Sequence, residues 1–280
     1  MPRALPYLLL LPATAFLAVF FLYPFTIVAI ESLTRGGAWT TTNFERMAGH
    51  WKFAPALRNT LVLAAVVVPV QLALALAMAS LVTRLEAGRG AILYIFAIPL
   101  GISDLAAGLI WLAIFEQTGF LNSLLYEAGA IDGPRLLLSY QNPWVIFLAI
   151  ALAEIWRATA IMMVILVAGM GLIPKEYAEA AEVFGASRWQ RFTRVTLPLL
   201  RPSLQTALVL RVILAFEVFA VVIALGGSTF PVLMSETFQW QFELQDRGVA
   251  AAYAMVILGV SVAFTLVILR LLHVPRGARA

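Results

Sequence analysis

Five ionisable side chains, Asp104, Glu154, Arg157, Arg211 and Glu217, fall within stretches that are otherwise almost wholly apolar. A charge at the centre of a membrane-spanning helix costs at least roughly 2.5–3.5 kcal/mol on insertion scales, so each needs a partner or a wet cavity. Glu154 and Arg157 stand three residues apart and share a helix face, which suits a structural ion pair. Alternatively, Arg157, Trp156 and Trp111 line a pathway where a solute pauses. Arg211 reaches Glu217 only across a turn, so a structural pairing with another helix is the simpler role. Glu217 lies beside Phe216 and Phe219. A carboxylate next to aromatic faces can bind a polyhydroxy ligand, although the same phenylalanines serve equally well as helix packing. Asp104 follows Pro99 and Gly101, and a helix broken there would open backbone groups and the carboxylate to a cavity. Gln71 after Pro69 raises the same possibility more weakly.

The chemistry open to these residues is binding and charge pairing. The sequence has no cysteine, and His50 and His273 lie at or beyond the ends of apolar runs. That argues against a metal centre (none is expected) and against an intramembrane hydrolase, which needs a nucleophile and a base at workable depth. No GxSxG occurs. No GxxxxGK[ST] loop occurs either, so the chain has no P-loop site for ATP, and any ATP-driven motor would be another chain.

The elements that must position these residues follow from composition. Of 280 residues 62% are hydrophobic and 12% charged, and the mean hydropathy is +0.93. A water-soluble domain needs more polar surface, so the chain reads as an all-α integral membrane protein, a single membrane domain over 1–280. Six apolar runs reach the length of about 20 residues that crosses a bilayer: 5–30, 59–82, 91–115, 143–172, 202–225 and 248–272. A lipid-embedded segment must satisfy its backbone internally, so all six are expected to be helices. The first is too long for a signal peptide and lacks a cleavage site.

Orientation follows from Lys and Arg in the connections. Eleven fall in one set, from Arg3 through the 173–201 loop to Arg276 and Arg279, against six in the other. Both termini and the 173–201 loop are then expected to be cytoplasmic. In the opposite loop 228–247, Phe230, Phe238, Trp240 and Phe242 suit either an interfacial aromatic belt or a surface for a solute-binding protein.

One cytoplasmic stretch, 176–203 (EYAEAAEVFGASRWQRFTRVTLPLLRPS), is charged throughout. Tyr177, Ala180, Ala181 and Phe184 form one stripe at helical spacing, with Glu176, Glu179 and Glu182 mostly off it. Gly185 can take the left-handed conformation that ends a helix. Ser187 then opens a second helix, with Gln190 completing a capping box. On that helix Arg188, Arg191 and Arg194 recur beside Trp189 and Phe192. An ordinary interfacial linker, with arginines on lipid phosphates and Trp189 among headgroups, fits the pattern. The shallow small-residue stripe instead suits insertion in another protein's groove.

Glu179-Ala180-Ala181, then Gly185, then Leu197-Pro198 resembles the EAA loop of ABC importer permeases, the membrane subunits of ATP-driven, binding-protein-dependent uptake systems. Leu57-Arg58-Asn59-Thr60, Ile98-Pro99 with Trp111, Gly119-Phe120-Leu121-Asn122, Glu154-Ile155-Trp156-Arg157, Gly171-Leu172-Ile173-Pro174 and Phe216 to Gly227 are similar to the carbohydrate uptake branch, the maltose and glycerol-phosphate type. Phe184 departs from the aspartate that sugar-type members often carry before the glycine. Ser228-Thr229-Phe230-Pro231 replaces the usual Gly-Pro.

The resemblance implies a type I importer permease fold with six transmembrane helices and a cytoplasmic coupling helix between spans four and five, in the loop 176–202. It assigns Tyr177, Glu179, Ala180, Ala181, Phe184 and Gly185 to docking on an ATPase subunit. It implies a second homologous permease in a heterodimer, an ATPase dimer that binds ATP and Mg, an extracytoplasmic solute-binding protein, and a bacterial or archaeal inner membrane. This chain itself is expected to hold no cofactor, perform no covalent chemistry and bind no nucleic acid. The cargo implied is a sugar or polyol. Polyamine and oxyanion permeases have similar EAA loops, and an ion-coupled transporter or channel would leave that loop unexplained.

Overall fold

The computed structural model describes residues 5–85 and 87–273; Arg3, Arg276 and Arg279, which entered the orientation count, lie outside them. Among the described residues five helices are long and apolar enough to cross a membrane, and a sixth span is added when a bent pair, Arg188–Leu199 with Arg201–Phe216, is counted. Span one runs from Leu5–Leu17 through a π turn at Ala18–Leu22 into Tyr23–Ser32. Spans two, four and six are Phe53–Val82, Pro143–Gly171 and Arg247–Leu271. Span two begins earlier than expected, so Leu57-Arg58-Asn59-Thr60 lies inside the helix. There Asn59 donates to the Pro231 carbonyl at 2.9 Å, and Thr60 Oγ1 accepts from the Leu233 amide at 3.0 Å. Span two also continues unbroken through Pro69. The opening expected near Gln71 is absent, because that side chain is tied to neighbouring helices.

Spans three and five are each divided. Span three consists of Arg89–Ala97, a 3-10 turn at Ile98–Gly101 and Asp104–Phe115. Pro99 lacks the amide a continuous helix would use, and Ser103 caps the second piece by accepting from the Ala106 amide at 3.2 Å. Span five was expected as one helix over 202–225. It is instead Arg201–Phe216 followed by Ala220–Gly226, with Glu217–Phe219 between them. Neither proline nor glycine marks this second break.

Span four is the centre of the molecule, lying along span two and against both halves of span five. Small residues allow that approach: Ala75 and Ala79 from span two and Ala149, Ala153 and Ala160 from span four are buried. A close contact also joins the second half of span three to Ala220–Gly226. A Cβ on Gly108 would lie 2.7 Å from the Ala224 Cβ and 3.2 Å from the Val221 Cα. Span one contributes almost nothing to the core and presents its apolar side chains outward.

The loops opposite the 172–200 connection are folded. In 116–142, buried Asn122 accepts from the Arg135 amide and donates to the Arg135 and Glu116 carbonyls. The 228–247 segment contains helix Leu233–Phe238 and a π turn at Gln239–Glu243. Phe230 and Trp240 are core residues, whereas Phe238 and Phe242 are exposed. Only the latter two are available to headgroups or a partner.

Candidate functional site

Four of the five intramembrane charges form one chain. Arg211 donates from Nη2 to Glu154 Oε2 at 2.8 Å and from Nε to Gln71 Oε1 at 2.5 Å. Gln71 in turn donates to the Glu154 carbonyl at 2.7 Å. Arg157 reaches Glu154 Oε1 at 3.6 Å and Asp104 Oδ1 at 2.8 Å. The i,i+3 pairing of Glu154 with Arg157 therefore exists but is the longer contact for both. Each has a shorter one to a different helix: Glu154 to span five, Arg157 to span three.

Two guanidiniums against two carboxylates leave the chain neutral, which meets the requirement for burying charge. Burial falls along it: the Arg211 side chain is 1% exposed, that of Arg157 18% and that of Asp104 42%. The break in span three places Asp104 at the first residue of a helix, where the backbone dipole favours a carboxylate. Glu154 Oε1, Arg157 Nε and Arg211 Nη1 make no hydrogen bond within the described residues, so the chain retains capacity for another polar molecule.

Next to the open end, Trp111 lies two helical turns from Asp104 on the same face. Its ring is 6.3 Å from Trp156, edge-on, and stacks on Phe115 at 5.9 Å. Asp104, Arg157, Trp111 and Trp156 thus form a polar and aromatic wall. Phe216, Glu217 and Phe219 do not join the charge chain. Phe216 is buried and meets Phe264 of span six edge-to-face at 5.2 Å. Phe219 lies 5.0 Å from Phe238. Glu217 is exposed at the break in span five. Gln71 is the member that sequence reasoning placed in the wrong role. A buried amide in an apolar helix signals a polar partner, but not which one.

The second candidate region is the hairpin between spans four and five. Lys175–Val183 is a helix without a buried residue. It ends at Gly185, whose φ of +78° is the left-handed region. Ser187 accepts from the Gln190 amide, and Gln190 Oε1 accepts from the Ser187 amide at 2.8 Å, closing the capping box. The second arm runs from Arg188–Arg191 through a π turn at Phe192–Thr196. Arg191 ties the arms together, donating to Glu182 at 2.5 Å. On the first helix, Tyr177, Ala180, Ala181 and Phe184 form the expected stripe; Ala181 is half-buried and the other three are exposed, Phe184 to 90%. Glu179 is exposed beside them.

A third polar cluster joins the loops at the opposite membrane face. Asp246 accepts from Arg46 and, at 3.1 Å, from Arg35, and it caps span six. Burial alone would raise the Asp246 carboxyl, but the hydrogen bonds from Arg46 and Arg35 outweigh it and hold it below the usual aspartate value. Buried Glu236 lies 3.8 Å from Lys52 and 3.9 Å from His50. Burial pushes the Glu236 carboxyl up despite Lys52, while burial and then Lys52 push His50 down.

Six apolar spans, two of them broken, with a charge chain inside and an exposed hairpin between the fourth and fifth, define a type I importer permease fold. The chain belongs to the family of binding-protein-dependent transport system inner membrane components, whose model matches residues 71–276. The trehalose transport system permease protein of Mycobacterium tuberculosis is 31% identical over 237 residues, covering 81% of this chain and 74% of that one. The trehalose/maltose transport system permease protein of Thermococcus litoralis is 29% identical, covering 95% and 92%. A chain of a bacterial alginate ABC transporter, solved with an alginate pentasaccharide-bound periplasmic protein, superposes with a TM-score of 0.81. It is 22% identical, covers 99% of this chain and 96% of its own length, and shares the fold.

Proposed function

We propose that this chain is the permease subunit of an ATP-driven importer for a sugar or related polyol, and that the Lys175–Val183 helix couples it to a separate ATPase. The observation that carries the coupling role is the bare apolar stripe of that helix. Tyr177 and Phe184 of that stripe are 54% and 90% exposed among the described residues. Apolar side chains on a short capped helix gain by insertion into another protein's groove. ATP binding would close the ATPase dimer, and the helix would carry that motion into spans four and five, which it joins. The sugar assignment is supported by relatives named for trehalose and maltose and by the wall of Asp104, Arg157, Trp111 and Trp156, which offers hydrogen bonds to hydroxyls and apolar faces to sugar rings. The ATP and Mg site would belong to the partner, and span one's bare face leaves room for a second, homologous permease in a heterodimer. An extracytoplasmic binding protein would deliver solute at the face carrying Phe238 and Phe242, in a bacterial or archaeal inner membrane with both termini cytoplasmic.

The test begins with mild-detergent purification from native membranes and mass spectrometry of the attached chains. A P-loop ATPase and a second six-span chain are expected. Uptake of labelled trehalose and maltose is then compared with that of putrescine and sulfate. Recovery of the chain alone, still moving solute without ATP, would overturn the importer reading. Selective uptake of putrescine or sulfate would overturn only the cargo. Glu179→Lys and Gly185→Pro should lose uptake while ATP hydrolysis continues, and normal uptake in both would remove the coupling role.

A further inference from the structure

The Lys175–Val183 helix has a second face, opposite the bare stripe. Lys175, Ala178 and Glu182 follow at helical spacing and turn toward the second arm of the hairpin, where Glu182 meets Arg191. Lys175 and Ala178 border a cavity of about 480 Å³ whose other walls include Arg84, Arg188 and Arg191. Ser80, Thr83 and Thr196 also line it, with the Thr83 hydroxyl donating to the Ala79 carbonyl at 2.8 Å. Four cations therefore border one cavity. Glu182 neutralises Arg191, but among the described residues no carboxylate lies within ion-pair distance of Arg84, Lys175 or Arg188.

A second cavity, about 420 Å³, adjoins the first along the exposed side of span two, with Ala73, Leu76 and Ala77 on one wall and Trp189 on the other. The two share Ser80, Arg84, Arg188 and Phe192. A cationic, hydroxyl-lined chamber thus opens onto an apolar groove that runs along a membrane-spanning helix, with a tryptophan at the junction.

We infer that the paired cavities are a binding site for an anionic phospholipid, with the phosphate among Arg84, Lys175 and Arg188 and an acyl chain along Ala73–Ala77. The phosphate is the chemistry the chamber selects, since guanidinium forks and hydroxyls are phosphate donors and the uncompensated charge excludes cations. The groove decides the source. A soluble phosphate has no use for it, whereas a lipid in the adjoining leaflet brings an acyl chain at the correct depth. Basic clusters at helix ends on a membrane surface attract anionic lipids in the same way. The site lies on the opposite face of the helix from Tyr177, Ala180, Ala181 and Phe184, so a bound lipid and a docked partner would not compete. Its ligand wedges between the hairpin and span two. The inference requires only that the chain spans a membrane, not that it couples to an ATPase.

The experiment uses the full chain in phosphatidylcholine nanodiscs doped with lipids brominated on one acyl chain. Trp189 fluorescence is isolated by subtracting the signal of Trp189→Phe. Brominated phosphatidylglycerol should quench Trp189 at a mole fraction at least about tenfold lower than brominated phosphatidylcholine. Arg84→Gln with Arg188→Gln should bring the two lipids level, and Lys175→Gln alone should narrow the gap; this milder variant serves if the double variant does not fold. Equal quenching by both lipids in the unaltered chain would overturn the site. So would a preference that survives both sets of substitutions. Loss of the preference in excess inorganic phosphate, at ionic strength matched with chloride, would overturn the lipid assignment in favour of a soluble anion.

Discussion

In the charge chain the costliest groups are the most deeply buried, and in the hairpin the most apolar groups are the most exposed. Arg211 and Glu154 are sealed among spans two, four and five, each held by the other. Val183 and Phe184 stand in the open on a helix that contributes nothing to the core. Inside a bilayer there is no water to accept an unpaired charge, so polar groups become structural because they must find one another. At the membrane surface a bare apolar side chain is tolerable until something covers it. The first region therefore belongs to the stability of this chain, and the second to its partners.

The strongest way to break that contrast is Arg211→Leu. It leaves Glu154 in the core with only the longer contact to Arg157 at 3.6 Å and should cost about 3–5 kcal/mol, read as a lower thermal unfolding midpoint in detergent. Arg211→Leu combined with Glu154→Leu should recover most of the loss, because no buried charge is then left alone. A single variant as stable as the unaltered chain would show that the network is not structural.

A smaller loss, about 1–3 kcal/mol, is expected for Gly108→Ala, since the added methyl meets Ala224 and the Val221 backbone and must push two helices apart. Gly185→Ala should cost only about 1–2 kcal/mol and only locally, through the left-handed backbone at φ +78°. Hydrogen exchange should report it in the hairpin amides while the global unfolding midpoint stays nearly unchanged. A global shift as large as that of Gly108→Ala would mean that the hairpin is part of the core.

Acidity sharpens the comparison from a third place, the loop cluster, with two opposite signs. Asp246 titrates lower when folded than when unfolded, so its stabilisation is complete above the ordinary aspartate value of 3.8 and is lost as pH falls through the lower folded one. Asp246→Asn should flatten the acid limb of stability against pH. Glu236 titrates higher when folded, so the native state keeps its proton longer and stability declines as pH rises from 4.5 through the raised value. Glu236→Gln should remove that decline. An unchanged profile in both variants would place the titrating groups elsewhere.

Much of the fold was legible because membrane helices announce themselves by length and hydropathy, and the four unbroken spans lie within a few residues of expectation apart from the early start of span two. The break in span three was legible through Pro99 and Gly101, and the equivalent break at Glu217–Phe219 was not, since Phe-Glu-Val-Phe carries no breaking residue. Among the candidate pathway residues, Asp104, Arg157, Trp111 and Trp156 converge while Phe216 belongs to the core.

What the sequence alone determined was therefore whatever local chemistry decides: the apolar spans, the turn at Gly185 and the capping box of Ser187 and Gln190. What only the tertiary structure decided was the partner of each buried charge. Arg211 finds Glu154 57 residues away and Gln71 140 residues away. The physical reason is distance along the chain. A cap or a left-handed turn is satisfied by atoms a few residues off, so composition and spacing suffice to read it. A buried charge demands some partner but accepts any of suitable sign and geometry, and the choice is made by which helices pack together.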